Sequence, residues 1–216
     1  MVATRRQVEL LEKNKPRQER AKRTYEGILS AAAELLVEVG VERISTNLIA
    51  ERAGITVPAL YRYFPNKYAV LNALGASLMD VQNRAFQQWF EGHLEQADPR
   101  VVLDDLYEVL RLTYEVTRAQ TGGLEIIQSL RAVAPLQSLR LSSHQLVADQ
   151  FCLMVSELLQ RPADELMLMQ ARVTVDAAYG IVEMALEDGS LPHQEVLRHG
   201  AQMIRAYWRD ILENTA

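Results

Sequence analysis

The sequence predicts an all-α protein with about nine helices, in which an N-terminal three-helix, helix-turn-helix head precedes a larger helical body. Apolar residues recur at three- and four-residue spacing through most of the 216 residues, which is the period of an amphipathic helix. No segment shows convincing strand alternation. Gly40, Gly122-Gly123 and Pro162 separate the helical segments, because glycine and proline commonly end helices.

The first 23 residues are polar and basic, and Pro16 interrupts any long helix there. Two interpretations remain open: a disordered, solvated tail, or an arm that contacts phosphates or the minor groove of DNA. Both hold if the segment is disordered when free and ordered on DNA. The first firm helix is predicted over residues 24–40, where apolar residues recur at helical spacing and Gly40 ends the helix.

The stretch from Thr46 to Lys67 predicts two short helices and the start of a third. Thr46 can cap the first helix, because its hydroxyl can accept a hydrogen bond from an otherwise unpartnered amide. Gly54 can end that helix in the left-handed conformation. Thr56 can cap the second helix, and Pro58 then lies in its first turn, where a missing N–H is harmless. This pattern is typical of a helix-turn-helix, whose second helix enters the major groove of DNA.

The body is predicted to contain a long helix from Asn66 to about Phe90, which joins the head without a flexible linker. Further helices are predicted at residues 99–119, 124–133, 137–160, 164–187 and 193–213. The last two carry apolar stripes that must pack into the body or against a second copy as a four-helix bundle. We expect a twofold interface, because a helix-turn-helix protein needs two half-sites. The expected interface residues are Val175, Ala178, Val182, Met203, Tyr207 and Ile211.

Charge is divided unevenly along the chain. The whole sequence has a net charge of −5, which argues against a protein that is covered by nucleic acid. Up to Lys67 there are 12 Lys and Arg against 8 Asp and Glu, a net of +4, whereas the remainder has 11 against 20, a net of −9. A basic N-terminal third on an acidic body predicts a small domain for a polyanion and a larger domain for another ligand.

Several functional classes are disfavoured. Cys152 is the only cysteine; its apolar neighbours predict a buried thiol, and a reducing cytosol is the expected compartment. No apolar run approaches the ~20 residues of a membrane span, and the N-terminus is too charged for a signal peptide. The histidines lack metal-ligand spacing, and there is no glycine-rich phosphate loop or nucleophile elbow. We therefore expect no metal, no cofactor and no enzymatic activity.

A longer set of residues in the head is more specific than a bare helix-turn-helix. It comprises Thr46, Ile49-Ala50, Ala53-Gly54-Ile55, Leu60-Tyr61-Arg62-Tyr63-Phe64 and Asn66-Lys67. Over roughly residues 24–72, this set resembles the DNA-binding signature of the TetR family of bacterial transcriptional regulators. The body resembles that family only in its length and in its plan of helices.

The resemblance implies a ligand-responsive repressor that binds a palindromic operator in double-stranded DNA as a homodimer and is released by a small, apolar effector. It implies a basic arm (1–23), a helix-turn-helix DNA-binding domain (24–67) and an effector-binding and dimerisation domain (68–216), in a cytoplasmic, nucleoid-associated bacterial protein. The effector would change the spacing of two recognition helices, which must lie one DNA turn, ~34–36 Å, apart. The alternative is a DNA-binding regulator whose body binds a protein partner.

The resemblance also implies individual DNA contacts. Thr46 is expected to bind a phosphate at a helix N-terminus, and Tyr61 and Tyr63 are expected to bind others. Lys67 is expected to bind a phosphate as well, because a lysine at the start of a helix opposes the helix dipole and therefore calls for another explanation. Simple exposure to solvent is the alternative. Arg62 is the best candidate for reading a guanine.

The tip of the recognition helix is poor in hydrogen-bonding side chains, so it can read a thymine methyl group or only the shape of DNA. Pro58 stands where many family members carry a glycine, which leaves the base contacts open. Asn47, on the preceding helix, is expected to contact a base or a phosphate. The tip consists of Thr56, Val57, Pro58 and Ala59.

The effector pocket is expected among the middle helices of the body, where side chains are aromatic or flexible and apolar. The same pattern is also typical of an ordinary core, so both interpretations stay open. The expected pocket residues are Gln82, Phe86, Trp89, Tyr114, Ile127, Phe151 and Met154.

Overall fold

A computed structural model describes residues 8–13, 18–93 and 99–214 of the chain. Within these ranges there are ten α-helices and no strand, which confirms the all-α prediction. The helices are α1 (Glu19–Arg43), α2 (Thr46–Arg52), α3 (Val57–Leu60), α4 (Lys67–Glu91), α5 (Pro99–Asp104), α6 (Leu106–Ala119), α7 (Gly123–Ala132), α8 (Gln137–Leu158), α9 (Glu165–Glu187) and α10 (His193–Asn214), with a 3-10 turn at Ala134–Leu136.

The first helix is longer than the sequence predicts. α1 begins at Glu19, and Gly40 leaves the helical conformation with a φ of 74°, a value at which side chains other than glycine are strained. Parts of the predicted arm, residues 1–7 and 14–17, lie outside the described residues.

Residues 8–13 of the arm pack against the head, whereas its last residues, from Glu19, are part of α1. The backbone N–H of Lys13 donates to the carbonyl of Tyr63 at 2.8 Å. The side-chain amide of Asn66 donates to the carbonyl of Glu9 at 2.9 Å. Both contacts hold the arm to the segment that follows α3.

The chain divides into two compact units, each with its own apolar core. The first comprises Met1–Met79 and Gln120–Arg140, and the second comprises Asp80–Ala119 and Leu141–Ala216. α4 therefore contributes residues to both units. α7 belongs to the first unit, where it packs on α1.

Close backbone approach explains why α7 begins at a glycine pair. Gly122 has a φ of 67°, and a Cβ there would lie 2.9 Å from the carbonyl oxygen of Ala33 on α1. No other residue fits such a position without moving the backbone. Leu130 of α7 joins a core that includes Ile28 and Leu36 of α1, and all three residues are almost fully buried.

The second unit is built from the end of α4 with α5, α6, α8, α9 and α10. α10 packs on α9 and α6. Gly200 allows α10 to approach α9 closely, since a Cβ at this position would lie 2.5 Å from Ile181 Cγ2. Cys152 is buried, as predicted. Burial raises the pKa of its thiol, and the charges of Asp149 and Asp164 raise it further, so the thiol is poorly reactive.

The single helix predicted over residues 99–119 is two helices, α5 and α6, which are interrupted at Asp105. The carboxylate of Asp105 accepts a hydrogen bond from Trp89 Nε1 at 2.9 Å and lies 3.2 Å from His93 Nε2. This break is held by partners on α4 and just after it, and no glycine or proline marks it in the sequence. Among the helices of the described ranges, none is long and apolar enough to cross a membrane.

Candidate DNA interface and candidate ligand cavity

The first helix of the helix-turn-helix is capped by Ser45 and not by Thr46. Ser45 has an extended backbone, and its Oγ accepts from the N–H of Leu48 at 3.3 Å. Thr46 is instead the first helical residue, and its hydroxyl lies 3.2 Å from the hydroxyl of Tyr61. The predicted cap was therefore wrong by one residue, because two adjacent hydroxyl side chains are equally suited to capping. Sequence reasoning missed Ser45 for this reason.

The turn and the second helix form as the sequence predicts. Gly54 has a φ of 64°. Thr56 caps α3, since its Oγ1 accepts from the N–H of Ala59 at 3.4 Å, and Pro58 lies in the first turn. Ile49 on α2 and Leu60 on α3 are fully buried, so these two side chains fix the pair of helices against the core.

The predicted DNA-contacting residues divide by exposure into two groups. The exposed group includes the proposed base-reading arginine and two of the four residues of the helix tip, which leaves them accessible to a large partner. The half-buried group includes side chains that also pack on the head. The exposed residues are Asn47, Thr56, Pro58, Tyr61 and Arg62, and the half-buried residues are Thr46, Val57, Ala59, Tyr63 and Lys67.

Lys67 has a structural role that the sequence did not predict. Its Nζ donates to the carbonyls of Val41, Glu42 and Ile44 at 3.3, 3.4 and 3.0 Å. These carbonyls lie in the short segment that follows the break of α1 at Gly40. An ammonium group has three hydrogens, and three carbonyls accept them. These carbonyls give a structural reason for a lysine at the start of α4, and the phosphate contact of Lys67 stays a prediction.

Replacing Lys67 with methionine is expected to lower the free energy of unfolding by about 1–2 kcal/mol. The carbonyls after α1 lose their donor while the volume of the aliphatic chain is retained. Urea denaturation measures the change, with Lys22→Met as a control, because Lys22 pairs with the exposed Glu19. The salt dependence of DNA binding tests the predicted phosphate contact separately. A slope reduced by about one phosphate contact would support that contact, and an unchanged slope would leave Lys67 with the structural role alone.

The second unit contains an apolar cavity of about 60 Å³. Side chains from α4, α6, α8, α9 and α10 line it, and three of the seven predicted pocket residues, Phe86, Trp89 and Phe151, are among them. Typical pockets for drug-sized ligands measure ~300–1,000 Å³. A ligand of that size would therefore have to displace side chains in order to enter.

The other four predicted pocket residues lie elsewhere. Met154 lines a smaller cavity of about 20 Å³, and Tyr114 stacks on His193 with ring centroids 4.8 Å apart. Ile127 belongs to the core of the first unit, because α7 packs there. Gln82 is buried, and its amide donates to the hydroxyl of Thr117 at 2.7 Å.

A charged and aromatic group lies beside the cavity. His144 Nδ1 is 2.5 Å from Asp176 Oδ1, and Arg172 Nε donates to Asp176 Oδ2 at 2.9 Å. Burial raises the pKa of Asp176, but the hydrogen bond and charge of His144 and the charge of Arg172 lower it more, so the net shift is downward. The ring of His144 stacks on Tyr179, which lines the cavity. The group ties α8 to α9.

The predicted interface stripe on α9 faces inward. Val175 and Val182 are buried in the core of the second unit, and together with Ala178 they line the cavity. The surfaces of Val175 and Val182 are therefore covered by their own chain, which argues against a place for them in an interface, whereas Ala178 is half-buried. On α10, Met203 and Tyr207 are exposed, whereas Ile211 packs partly against the core.

A second face of α9 carries an apolar stripe that sequence reasoning missed. Its large members are exposed by 50% to 57%. All of its members are spaced three or four residues apart, so they lie along one line of the helix. The sequence contains the signal for this face, because apolar and small residues recur at three- and four-residue spacing along two separate lines of α9. We call this set the outer stripe: Leu166, Met169, Val173, Ala177, Gly180 and Met184.

Residues 28–74 match the family model described as bacterial regulatory proteins, tetR family. The tetracycline repressor protein class C from Escherichia coli is 41% identical over 58 residues, which are 27% of this chain and 26% of that protein. The chain thus matches about a quarter of the length of such curated relatives. The matched part contains the helix-turn-helix.

Solved structures extend the similarity of fold to most of the chain. A TetR-family transcriptional regulator from Streptomyces coelicolor aligns with a TM-score of 0.59 and 24% identity over 87% of this chain and 98% of that one. A complex of SmeT with triclosan aligns with a TM-score of 0.64 and 21% identity over 85% of this chain and 90% of that one. At these identities the likeness concerns the fold alone.

Proposed function

We propose that this chain, whose residues 28–74 belong to the tetR family of bacterial regulatory proteins, is a transcriptional repressor that binds a palindromic operator as a homodimer. A small, apolar effector would release it. The observation that carries the proposal is the helix pair α2–α3, in which buried Ile49 and Leu60 support an exposed surface that includes Arg62. Double-stranded DNA binding places the protein in the bacterial cytoplasm, associated with the nucleoid.

In the proposed complex α3 enters the major groove. Arg62 reads a guanine, and Asn47 contacts a base or phosphate nearby. The hydroxyls of Thr46 and Tyr61 lie 3.2 Å apart, close enough to bind one phosphate together. Phosphate contacts would position α3, and Arg62 would supply most of the sequence preference.

Replacing Arg62 with alanine is expected to cost about 1–3 kcal/mol on the preferred operator and to relax the preference at one base pair. The matched contrast is Tyr61→Phe, which removes a phosphate contact and is expected to weaken binding about equally on all sequences. Titration of each variant against operator and random DNA measures both effects. Equal losses on the two DNAs for Arg62→Ala would count against a base contact.

The proposed homodimer uses the outer stripe of α9 together with Met203 and Tyr207 of α10. α9 and α10 pack on each other, so two copies of this pair can form a four-helix bundle. Monomeric proteins seldom expose a contiguous apolar patch of this kind. A twofold axis through the bundle would give the two recognition helices the symmetry of a palindrome.

The proposed effector site is the apolar cavity of the second unit. The fold accommodates a small molecule in one neighbour, since SmeT is described in complex with triclosan. At about 60 Å³ the cavity of this chain admits a ligand only if side chains move. Phe86 and Trp89 are cavity residues on α4, which contributes to both units, and α4 is therefore the proposed route of the response.

The small size of the cavity also favours a second function, a DNA-binding regulator whose body binds a protein partner. Exposed leucines on α8, Leu146 and Leu153, provide apolar surface outside the outer stripe. Calorimetry with apolar small molecules separates the two functions. Saturable binding to the second unit supports the effector, and its absence over a broad panel supports the protein partner.

Selection of bound DNA from a random pool tests the DNA-binding function as a whole. The expected product is a palindrome whose half-sites are about 10 base pairs apart, centre to centre. The selection is repeated in the presence of a cell extract, which is expected to release the DNA if it contains the effector. A pool without an enriched sequence would contradict the proposal.

A further inference from the structure

One buried acceptor of the second unit has no partner among the residues that the structure describes. Gln82 on α4 is only 1% exposed. Its Nε2 donates to Thr117 Oγ1 at 2.7 Å. Among the residues that the structure describes, no donor lies within hydrogen-bonding distance of its buried Oε1.

The hydroxyl of Thr117 fixes which way the amide of Gln82 points. Thr117 has one hydroxyl hydrogen, and it donates this hydrogen to the carbonyl of Thr113 at 2.6 Å. The oxygen of Thr117 can therefore only accept from Gln82, so the amide must present its NH₂ group. The carbonyl oxygen of Gln82 then points away from Thr117 and cannot be satisfied by it.

Burying an acceptor without a donor is costly, because the group loses its hydrogen bonds with water and gains none. A leucine of similar size would avoid this cost at position 82. An unsatisfied buried group calls for a specific explanation, and a bound molecule that donates a hydrogen bond to it is one.

Helix periodicity places Gln82 next to the cavity. Phe86 lies one turn after Gln82 on α4, and Thr113 lies one turn before Thr117 on α6. Both Phe86 and Thr113 line the cavity. The pair Gln82–Thr117 does not line the cavity itself but lies one helical turn from two residues that do, so a ligand reaches it only if those side chains move.

We propose that Gln82 Oε1 accepts a hydrogen bond from the hydroxyl of a neutral aromatic ligand, a phenol, whose apolar part fills the cavity. None of the described side chains that line the cavity is charged, which disfavours an ionic ligand. Phe86, Trp89 and Phe151 provide aromatic surface for a ring. A neutral acceptor requires a ligand that donates. This assignment rests on the proposed effector function and names the chemical class of the effector.

The experiment compares 4-butylphenol with 4-butylanisole, in which a methyl ether replaces the hydroxyl and cannot donate. Isothermal titration calorimetry on the full chain is expected to show about tenfold tighter binding of the phenol. In Gln82→Leu the preference is expected to fall to twofold or less, while the anisole still binds. Gln88→Leu is the matched control, since Gln88 is an exposed glutamine on the same helix, and it is expected to keep the tenfold preference.

Equal binding of the two ligands by the unaltered chain, no binding of either, or a preference that survives in Gln82→Leu would each overturn the assignment. Thermal unfolding verifies that each variant is folded, and Gln82→Met replaces the leucine variant if that one does not fold. Release of a labelled operator is measured separately with the same two ligands. A Gln82-dependent preference without release supports the assignment and contradicts the effector function, whereas equal release by both ligands supports the effector function and overturns the assignment.

Discussion

Replacing Trp208 with alanine is expected to lower the free energy of unfolding by about 3–5 kcal/mol, the range for truncating a fully buried large aromatic side chain. Trp208 is 0% exposed, and it contacts Phe151 edge to face with ring centroids 5.3 Å apart. Its Nε1 donates to Thr174 Oγ1 at 2.8 Å. The substitution therefore removes apolar burial and a hydrogen bond, and it leaves a hole between α8, α9 and α10.

Urea denaturation measures the loss in free energy of unfolding. Two further variants separate the contribution of the hydrogen bond from that of burial and compare Trp208 with an exposed neighbour. Trp208→Phe keeps most of the ring but removes the donor to Thr174, and it is expected to cost about 1–2 kcal/mol. Tyr207→Ala changes the neighbouring aromatic residue, which is 41% exposed, and it is expected to cost less than about 1 kcal/mol in the monomer. Equal losses for Trp208→Ala and Tyr207→Ala would contradict the assignment of Trp208 to the core.

Introducing glutamate at both Met169 and Val173 is expected to leave the chain folded but monomeric. In the proposed interface each substitution occurs twice, so four carboxylates would be buried without partners, which strongly disfavours association. A monomer loses the second half-site, and the affinity for a palindromic operator is expected to fall on the order of 100-fold or more. The affinity for a single half-site is expected to be nearly unchanged.

Analytical ultracentrifugation measures the oligomeric state, and titration with full and half operators measures the two affinities. Leu168→Glu is the matched control, because Leu168 is an exposed leucine of the same helix that lies off the outer stripe. It is expected to leave both the dimer and the operator affinity intact. A double variant that remains dimeric would place the interface on another surface.

The helix-turn-helix could be predicted from the sequence because its determinants are local. The cap at Thr56, the left-handed Gly54 and the first-turn Pro58 act on amides within a few residues, so their spacing is sufficient. The cap of α2, which was predicted at Thr46, shows where local spacing is insufficient. Ser45 and Thr46 offer the same hydroxyl group, and only the backbone conformation selects Ser45.

The role of Lys67 could not be predicted from its neighbours, since the carbonyls that it contacts are 23 to 26 residues earlier in the chain. The same limit applies to Gln82, whose partner Thr117 is 35 residues away. A side chain that is unfavourable where it stands signals a distant partner, but the sequence does not identify that partner.

Helical periodicity in the sequence of α9 does not specify which face of the helix is buried. The helix has two apolar stripes, one with Val175 and Val182 and the other with Met169 and Val173, and either one is suited to a core. The sequence by itself determined most of the helices, the cap of α3, the turn at Gly54 and the helix-turn-helix motif, because short-range hydrogen bonds and helical periods specify them. Only the tertiary structure decided which stripe is buried, where α7 packs and which groups meet at the cavity, because those choices depend on contacts between distant segments.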